Sequence, residues 1–576
     1  MERREINLLI GGEAGQGLVT LGEVLAKSLV RAGYFIVVTQ SYHSRIRGGH
    51  NTYTIRASGE KIFAPREDVD LVVALNPETV ALHNRQLGPG CLTIVDTDFK
   101  TTSDNCLEVP YVELGEQQFS NVVALGIVSF LLGLELELVD KVLDDAFGKK
   151  APELAEKNMQ ILKESFKWCG QQGVNFSKLA PPSDIRKRLF MNGNEAIAMG
   201  ALSAGVKFCS FYPMTPATSI ALNLAGQASS MGLVVEQAED EIAAINMAIG
   251  ASFAGAVSIV PTSGGGFALM TEGVSLVGMS ETPLVIVVAQ RPGPATGLPT
   301  RTEQADLEFV LHSGHGEFPR AIFSPGTVEE CFWLTRKAFE VAAKSQGPVF
   351  ILTDQFLADS ARAIEPFDLK GLETAGVGIE EDSSDLPYYR YNLYESGLSP
   401  RLLPGMSKHL VVAGGDEHPI DGHLTEDLSV RKFMVEKRLR KEEILIAEVV
   451  PPEIRGHEKV DLLLVTWGTN KGAILEAAAK LGNDSTRVGT CHFSQVWPLV
   501  PHQFLEVFQD AGEVVCVSVA PAVTVEASDP MGHESGGDTG VFTIKRVAGD
   551  ISSALAVDFS LSGSAVLTTD YTLSVS

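Results

Sequence analysis

The sequence predicts an α/β protein made of several doubly wound domains. Short apolar runs with the length of buried strands alternate with amphipathic helices over most of the chain, which is the pattern of parallel sheets covered on both faces. Loops rich in glycine or proline follow several of these strands, and open α/β sheets bind their ligands at that edge. With 576 residues the chain is too long for one hydrophobic core, so three or four domains are expected.

Residues 1–180 are predicted to form the first α/β domain. The glycine loop GGEAGQG at 11–17 is expected to be the turn between the first strand and the first helix. The predicted strands cover residues 6–10, 35–40, 69–76 and 91–96, and the first helix covers residues 20–34. Together these elements favour a parallel sheet with helices on both faces.

Residues 181–365 are predicted to form a second and more regular α/β domain. Its strands are expected at 208–213, 257–262, 283–290 and 348–354, and its clearest helices at 239–256 and 326–345. Residues 366–455 are weakly patterned and form a connecting segment with a helix at 429–443. Residues 456–576 are predicted to form a third α/β domain, with strands at 461–467, 487–493 and 513–519 and a helix at 471–481.

The net charge and the cysteine pattern exclude several classes of function. A net charge of −26 would repel nucleic acid and anionic membrane surfaces. No apolar run is long enough to span a bilayer, and Met1 to Arg4 lack the apolar core of a signal peptide. We therefore expect a cytoplasmic protein. The seven cysteines include no CxxC pair, so no disulfide, zinc site or iron–sulfur cluster is expected from this chain alone. Any electrons would have to be carried by another chain.

The first glycine loop does not fit the common nucleotide-binding patterns. GGEAGQG lacks the glycine spacing of a Rossmann fingerprint, and Leu18 and Val19 stand where a P-loop needs Lys and Ser or Thr. It is either a tight turn or an approach for an anionic ligand at the start of a helix. The segment SRIRGGHN at 44–51 favours the ligand, because Arg45 and Arg47 beside Gly48 and Gly49 would suit a phosphate; a solvated basic loop is the alternative.

Four motifs of the second domain lie at the carboxyl ends of its predicted strands or at the start of the helix that follows. They are FYPMTPAT (211–218), AEDEIAA (238–244), TSGGGFALM (262–270) and RPGPATGLPTRTEQADL (291–307). In the first of them, prolines on both sides of Thr215 restrict the backbone and present its hydroxyl with little freedom to lose. The alternative is a rigid turn that caps a helix at residue 217.

Taken together, these motifs resemble those of the 2-oxoacid:ferredoxin oxidoreductases. These thiamine-diphosphate enzymes couple the oxidative decarboxylation of a 2-oxo acid to the acylation of coenzyme A. The fused gamma–alpha subunit, called the alpha chain, of the two-subunit type is the most similar, and GGDEHPIDGHLTED (414–427) and VEKRLRK (435–441) match its connecting segment. The resemblance implies a gamma-type domain associated with CoA, a thiamine-diphosphate pyrimidine-binding domain, and a domain similar to the C-terminal domain of transketolase.

The resemblance also implies roles for individual residues. Thr215 would hydrogen-bond the 2-oxo acid, Glu241 would face N1′ of the aminopyrimidine, and Arg301 would bind the substrate carboxylate, with Arg291 in reserve. Glu239 and Asp240 are alternative candidates for the role of Glu241. All three acids could instead stabilise the helix through a favourable interaction with its dipole. The remaining expected contacts are with substrate at Tyr212, with cofactor at Pro213, Ser263, Gly264 and Gly265, and with CoA at Arg45, Arg47, Gly48, Gly49 and Gly12.

The family further implies a partner chain. The GDG motif with which thiamine enzymes hold Mg²⁺ and the diphosphate is missing here, so a beta subunit would supply the Mg²⁺ site and a [4Fe-4S] cluster and would pass electrons to ferredoxin. Similar enzymes are dimers of alpha–beta pairs. The expected substrate is 2-oxoglutarate, with pyruvate and branched-chain or aryl 2-oxo acids as alternatives, and a non-catalytic scaffold subunit is the rival from another class.

Overall fold

In the computed structural model the chain divides into two units, and the first of them extends to Val517. The described residues are 3–42, 49–99, 105–148, 152–182, 184–376, 387–456, 459–518, 523–527 and 542–546. A second unit begins at Ser518, and its two described strands, β20 (Val523–Ala527) and β21 (Phe542–Arg546), pair antiparallel. The three boundaries between the four predicted segments remain predictions.

The described residues of the first domain form six strands and six α-helices. The strands are β1 (Glu5–Glu13), β2 (Phe35–Ser41), β3 (His50–Ser58), β4 (Val69–Ala74), β5 (Leu87–Asp96) and β6 (Cys106–Val109). The helices are α1 (Leu18–Arg31), α2 (Glu78–His83), α3 (Tyr111–Gly115), α4 (Ser120–Leu132), α5 (Leu136–Phe147) and α6 (Pro152–Gln171). Strand β1 continues through Gly11 and Gly12, so the turn before α1 is shorter than the predicted seven residues, and α1 ends three residues before the predicted end.

The second domain has the predicted alternation of strand and helix. Its strands are β7 (Leu189–Met191), β8 (Phe208–Phe211), β9 (Val234–Gln237), β10 (Ser258–Thr262), β11 (Leu284–Gln290), β12 (Ala321–Phe323), β13 (Pro348–Asp354) and β14 (Arg362–Ile364). Its helices are α7 (Gly193–Ser203), α8 (Thr218–Met231), α9 (Glu241–Phe253), α10 (Gly264–Ser280), α11 (Leu307–His312), α12 (Val328–Ser345) and α13 (Gln355–Asp359).

The connecting segment and the third domain follow. The predicted helix at 429–443 is two helices, α14 (Leu428–Arg440) and α15 (Glu442–Ala447). Strand β15 (Glu453–Arg455) lies at the end of the connecting segment. The third domain contains β16 (Leu462–Trp467), α16 (Lys471–Leu481), β17 (Val488–Phe493), β18 (Gln495–Trp497), α17 (Leu505–Gln509) and β19 (Glu513–Val517). Its sheet has the order β15-β17-β16-β19, in which β16 is parallel to both of its neighbours.

The sheet of the first domain is mixed, which corrects the prediction of a parallel sheet. Its order is β6-β5-β4-β1-β3-β2-β14-β7, and the unpredicted strand β3 runs antiparallel between β1 and β2. Strand β14 of the second domain pairs with β2, so one continuous sheet joins the two domains. This pairing brings the end of β2 close to the helix that follows β13.

The second sheet is the one that positions the candidate site. Its order is β18-β12-β13-β11-β10-β8-β9, and all of its strands except β18 run parallel. Every residue of β11 and of β13 is buried, and successive side chains of β11 enter different apolar clusters on the two faces. Because these strands are parallel, their carboxyl ends gather the following loops at one edge of the sheet.

Candidate active site

Glu241 is the buried acid among the three acidic residues at the start of α9. Asp240 is the N-cap of this helix, and its Oδ1 accepts a hydrogen bond of 2.7 Å from the backbone N–H of Ala243. Glu239 and Asp240 are exposed, whereas only 5% of the Glu241 surface is exposed. Asp240 therefore caps the helix, whereas Glu241 is buried and does not serve as the cap.

The glycines at the start of α10 let this helix approach Glu241 closely. A Cβ atom at Gly266 would lie 2.8 Å from Glu241 Oε1, closer than nonbonded atoms tolerate. At Gly265 a Cβ would meet only Met214 Cε at 3.5 Å and the Ala295 carbonyl at 3.4 Å, and this residue is exposed. Gly266 therefore permits close packing against the Glu241 carboxylate, and Gly265 leaves exposed backbone beside that contact.

Thr215 lies in a fixed loop between β8 and α8. The bond between Thr215 and Pro216 is cis, and the Pro216 carbonyl accepts a hydrogen bond of 2.8 Å from Asn194 Nδ2. The N-cap of α8 is Ala217, so this loop is also the turn that leads into the helix, as in the alternative interpretation, and the role of Thr215 stays a prediction. Tyr212 and Pro213, also predicted to belong to the site, are exposed beside it.

The two candidate arginines have different neighbours. Arg291 is 8% exposed and its Nη1 donates a hydrogen bond of 2.7 Å to the backbone carbonyl of Thr215. Arg301 is half-buried, and its Nη1 donates to the carbonyls of Thr300 at 3.0 Å and Tyr42 at 3.4 Å. Within the described ranges, Nε and Nη2 of Arg301 have no hydrogen-bond partner, so these two donors remain available for a carboxylate.

Two residues near this edge were not singled out by the sequence motifs. Tyr42, at the end of the first domain's second strand, holds Arg301 as described, and its hydroxyl donates to Asp359 Oδ2 at 2.7 Å. Asp306, five residues after Arg301, is the other, and its backbone N–H donates to Gln290 Oε1 at 3.0 Å. The only sequence signal for Asp306 is its place in the EQAD stretch, which begins two residues after Arg301.

Asp306 and Ser263 both carry polar atoms that find no partner. Asp306 Oδ2 and Ser263 Oγ are buried without a hydrogen-bond partner among the described residues, although Ser263 is the N-cap of α10. A Cβ at Gly264 would overlap the Asp306 carboxyl, so Gly264 is required there too. Burial and the neighbouring Glu303 raise the pKa of Asp306 to about 6, although Arg291 opposes this effect.

The residues predicted to contact CoA are only partly described. Gly12 lies within β1, where a Cβ would come 2.6 Å from Gln16 Oε1, and Gln16 also accepts from the Glu13 N–H and donates to the Leu75 carbonyl. This packing leaves no room for a side chain at Gly12, which belongs to β1 and not to the turn that follows it. Gly49 has a positive φ of 81°, which favours glycine. Arg45, Arg47 and Gly48 lie outside the described residues.

No helix in the described ranges combines the length and the apolar character needed to cross a membrane. No cluster of three or more His, Cys, Asp or Glu side chains in the same ranges is arranged to hold a metal ion.

The sheet edge and its buried glutamate define a cofactor-binding α/β domain, and comparison with known families identifies the cofactor class. Residues 199–427 match the family described as pyruvate flavodoxin/ferredoxin oxidoreductase, thiamine diphosphate-binding. Residues 7–168 match the pyruvate ferredoxin/flavodoxin oxidoreductase family. The chain therefore contains the thiamine-diphosphate-binding domain of an oxidoreductase.

The relatives define the family more closely. The alpha subunit of a 2-oxoacid:ferredoxin oxidoreductase from a Sulfolobus species is 32% identical over 85% of this chain and 87% of its own length. The 2-oxoglutarate oxidoreductase subunit KorA of Mycobacterium tuberculosis is 28% identical over 88% of this chain and 84% of its own length. This chain belongs to the family of 2-oxoacid:ferredoxin oxidoreductase alpha subunits.

A solved structure agrees with this assignment. The 2-oxoglutarate:ferredoxin oxidoreductase from Magnetococcus marinus, solved with 2-oxoglutarate, coenzyme A and succinyl-CoA bound, superposes with a TM-score of 0.84 and 30% identity. The match covers 90% of this chain and 92% of that one. The predicted α/β fold class, the predicted family and the predicted thiamine-diphosphate enzyme class are confirmed. The roles of the individual site residues stay predictions.

Proposed function

We propose that this chain is the alpha subunit of a 2-oxoglutarate:ferredoxin oxidoreductase. The reaction converts 2-oxoglutarate, coenzyme A and two oxidised ferredoxins into succinyl-CoA, CO₂, two reduced ferredoxins and one proton, and it is reversible. The observation that carries the proposal is the buried Glu241 beside the glycine start of α10, in a chain whose relatives include enzymes named for 2-oxoglutarate.

The described residues fit the pyrimidine half of thiamine diphosphate. Glu241 places a buried carboxylate against Gly266, the neighbouring Gly265 exposes backbone without a side chain, and Ser263 contributes an unpartnered hydroxyl among the described residues. When bound, thiamine diphosphate supplies the carbon nucleophile and the electron sink for decarboxylation. The part of Glu241 is to hold a proton at N1′, which favours the tautomer that can remove a proton from the reactive carbon.

Thr215 and Arg301 would bind the 2-oxo acid. The two unpaired guanidinium nitrogens of Arg301 suit a bidentate contact with the C1 carboxylate. The Thr215 hydroxyl would donate to the 2-oxo oxygen from a loop whose backbone Arg291 holds. Arg301 would thus bind the substrate, while Arg291 holds the backbone of the Thr215 loop. This favours Arg301 over Arg291 as the ligand of the carboxylate.

The first domain would contribute the CoA site. Its resemblance to gamma subunits and the match of residues 7–168 support this role. Arg45, Arg47, Gly48, Gly49 and Gly12 are the residues proposed to face the CoA phosphates or to shape the backbone near them. The continuous sheet from β2 to β14 would keep that domain fixed to the cofactor-binding domain.

A beta subunit would complete the active site. This chain offers one half of a cofactor cradle, and the beta subunit would bring the Mg²⁺–diphosphate half, a [4Fe-4S] cluster and the contact with ferredoxin. Apolar residues on neighbouring helices beside Glu241 support such a contact, because Ile242 and Met247 on α9 and Leu269 on α10 are exposed by 38% to 52%. We propose a dimer of alpha–beta pairs.

Dye reduction by the co-purified alpha–beta complex tests this function. The complex is assayed with 2-oxoglutarate, pyruvate, a branched-chain and an aryl 2-oxo acid, each with and without CoA. CoA-dependent reduction that is fastest with 2-oxoglutarate is the expected result. A preference for pyruvate, the substrate in both family descriptions, would change the substrate but retain the reaction. No reduction by a complex that holds thiamine diphosphate and an intact cluster would indicate a scaffold subunit.

A further inference from the structure

The third domain contacts the loop that carries Arg301. Gln304, three residues after Arg301, is 8% exposed, and the third domain binds both ends of its side-chain amide. Gln304 Oε1 accepts a hydrogen bond of 2.7 Å from Asn470 Nδ2, and Gln304 Nε2 donates to the backbone carbonyl of Trp467 at 3.3 Å. These two contacts fix the orientation of the amide, because its acceptor faces a donor and its donor faces an acceptor.

A glycine in the third domain makes this contact close. Gly468 directly follows β16 and has a positive φ of 59°, which favours glycine. A Cβ atom there would lie 2.7 Å from Gln304 Nε2 and 2.8 Å from Ser324 Oγ. The turn between β16 and α16 therefore approaches Gln304 closely, with no side chain at Gly468 to keep them apart.

The turn that binds Gln304 is itself anchored. Lys471, the first residue of α16, forms ion pairs with Glu330 on α12 and, at 2.7 Å, with Glu453 on β15. Asn470 is the N-cap of α16 but makes no side-chain capping bond, and its amide donates to Gln304 instead. The third domain thus offers Gln304 a partner whose position is fixed on the second domain and which has no capping task.

The chain between Arg301 and α11 depends on side-chain contacts for its position. Residues 302–305 belong to no helix or strand. Thr302 Oγ1 accepts a long hydrogen bond of 3.4 Å from the backbone N–H of Phe356, whereas the bond between Asn470 and Gln304 is 2.7 Å. A displacement at Gln304 therefore reaches Arg301 over the short piece of chain that joins them.

We propose that Asn470 and Gln304 are positioning residues, with which the third domain holds Arg301 in place for the carboxylate of the 2-oxo acid. This inference rests on the proposed function. Arg301 also donates to the carbonyl of Tyr42, so its loop is held by the first domain as well as by the third. Asn470 and Gln304 act through the backbone of the loop and leave the contact with the substrate to Arg301. The role applies to every 2-oxo acid, because the C1 carboxylate is common to all of them.

Steady-state dye reduction by the intact alpha–beta complex tests this role in Gln304→Ala, in Asn470→Ala and in the double variant. Each single change should raise KM for the 2-oxo acid about threefold to tenfold, with kcat and KM for CoA nearly unchanged. The double variant should be no worse than Gln304→Ala, because residues that act through one contact are not additive. The thermal unfolding curve of each variant shows whether it is folded.

Glu476→Gln is the control for a general loosening of the third domain. Glu476 on α16 accepts from Arg56 Nη1 and from the backbone N–H of Phe63, both at 2.7 Å, so these contacts are with the first domain. This change should lower Tm and leave KM for the 2-oxo acid unchanged.

Three results would overturn the inference. They are an equal rise of KM in Glu476→Gln, an unchanged KM in folded and active Gln304→Ala and Asn470→Ala, and additive rises of KM in the double variant. Failure of the unmodified complex to reduce dye with any 2-oxo acid would instead overturn the proposed function.

Discussion

Arg301 Nη1 donates a hydrogen bond of 3.4 Å to the backbone carbonyl of Tyr42, and this contact joins the proposed substrate loop to the first domain. The two residues are 259 positions apart in the chain. Tyr42 is itself fixed, because its hydroxyl donates to Asp359 Oδ2 at 2.7 Å and Gln355 Nε2 donates to the same oxygen at 2.8 Å. The orientation of the predicted carboxylate ligand thus depends on a strand that belongs to the proposed CoA domain.

Tyr42→Phe should weaken binding of the 2-oxo acid without slowing the chemistry. Loss of the hydroxyl frees the end of β2 from Asp359, and Arg301 then loses part of its orientation. We expect KM for the 2-oxo acid to rise about twofold to tenfold with kcat nearly unchanged. Steady-state dye reduction measures both constants. Tyr388→Phe is the control, because it removes a comparable hydrogen bond of 2.9 Å to the Pro400 carbonyl in the connecting segment; equal effects of the two changes would contradict the prediction.

Glu241→Gln should abolish most of the activity and leave the fold intact. The amide has nearly the same shape as the carboxylate but cannot hold a proton at N1′, so we expect a loss of about 10²- to 10⁴-fold in kcat. Circular dichroism and the thermal unfolding curve should match those of the unmodified chain. Glu239→Gln is the matched control, since Glu239 is exposed two residues earlier and should be neutral. Near-full activity of Glu241→Gln would refute the assignment of this residue to the cofactor.

Asp240→Ala should destabilise the protein without the same loss of activity as Glu241→Gln. The Asp240 carboxylate accepts from the Ala243 N–H at 2.7 Å, and loss of an N-cap costs about 0.5–2 kcal/mol. Chemical denaturation of the full chain measures the difference, and Asp240→Ser, which keeps a capping oxygen, should restore most of it. If Asp240→Ala instead lost activity to the extent of Glu241→Gln with unchanged stability, Asp240 would be the acid that faces the cofactor.

The sequence predicted the second sheet well because its strands are continuous buried runs. The predicted strand at 348–354 and the predicted helix at 471–481 have the observed bounds of β13 and α16. Strand β3 was missed because its threonines and its arginine break the apolar run, although the alternation in HNTYTIRAS is the pattern of a strand. Strand β3 makes the first sheet mixed, together with β14, which runs antiparallel to β2 and to β7.

The site was predictable only where a motif is local. The family resemblance selected Glu241 among its neighbours. Helical geometry added only that side chains about 100° apart should let one of three adjacent acids face a ligand. The sequence could not predict the contact of Tyr42 with Arg301, because the two residues are far apart in the chain. It could not predict the raised pKa of Asp306 either, because that shift depends on burial at the sheet edge. Only the packed structure distinguishes Arg291, which holds a loop, from Arg301, which keeps free donors.

Glu281→Gln should give the largest loss of stability among these changes. Glu281 is fully buried at the end of α10, where Lys437 Nζ lies 2.7 Å from both of its carboxylate oxygens and Lys441 Nζ lies 2.5 Å from Oε2. Neutralising the acid leaves two buried cations without their partner, which costs about 3–5 kcal/mol. Denaturant titration of the full chain measures this cost. Glu23→Gln, which breaks an exposed helical pair with Lys27, is the control and should cost about 0.3–0.5 kcal/mol.

The same substitution should change the response of the protein to acid. Burial alone would raise the pKa of Glu281, but Lys441 and Lys437 outweigh it and hold this pKa well below its usual range. A carboxyl group with a lowered pKa stabilises the folded state above its unfolded pKa of about 4.3, and this contribution is lost as the pH falls further. The unmodified chain should therefore lose stability more steeply than Glu281→Gln below about pH 4.3. Parallel unfolding curves for the two proteins in acid would mean that the lysines, and not the carboxylate, adjust their charge.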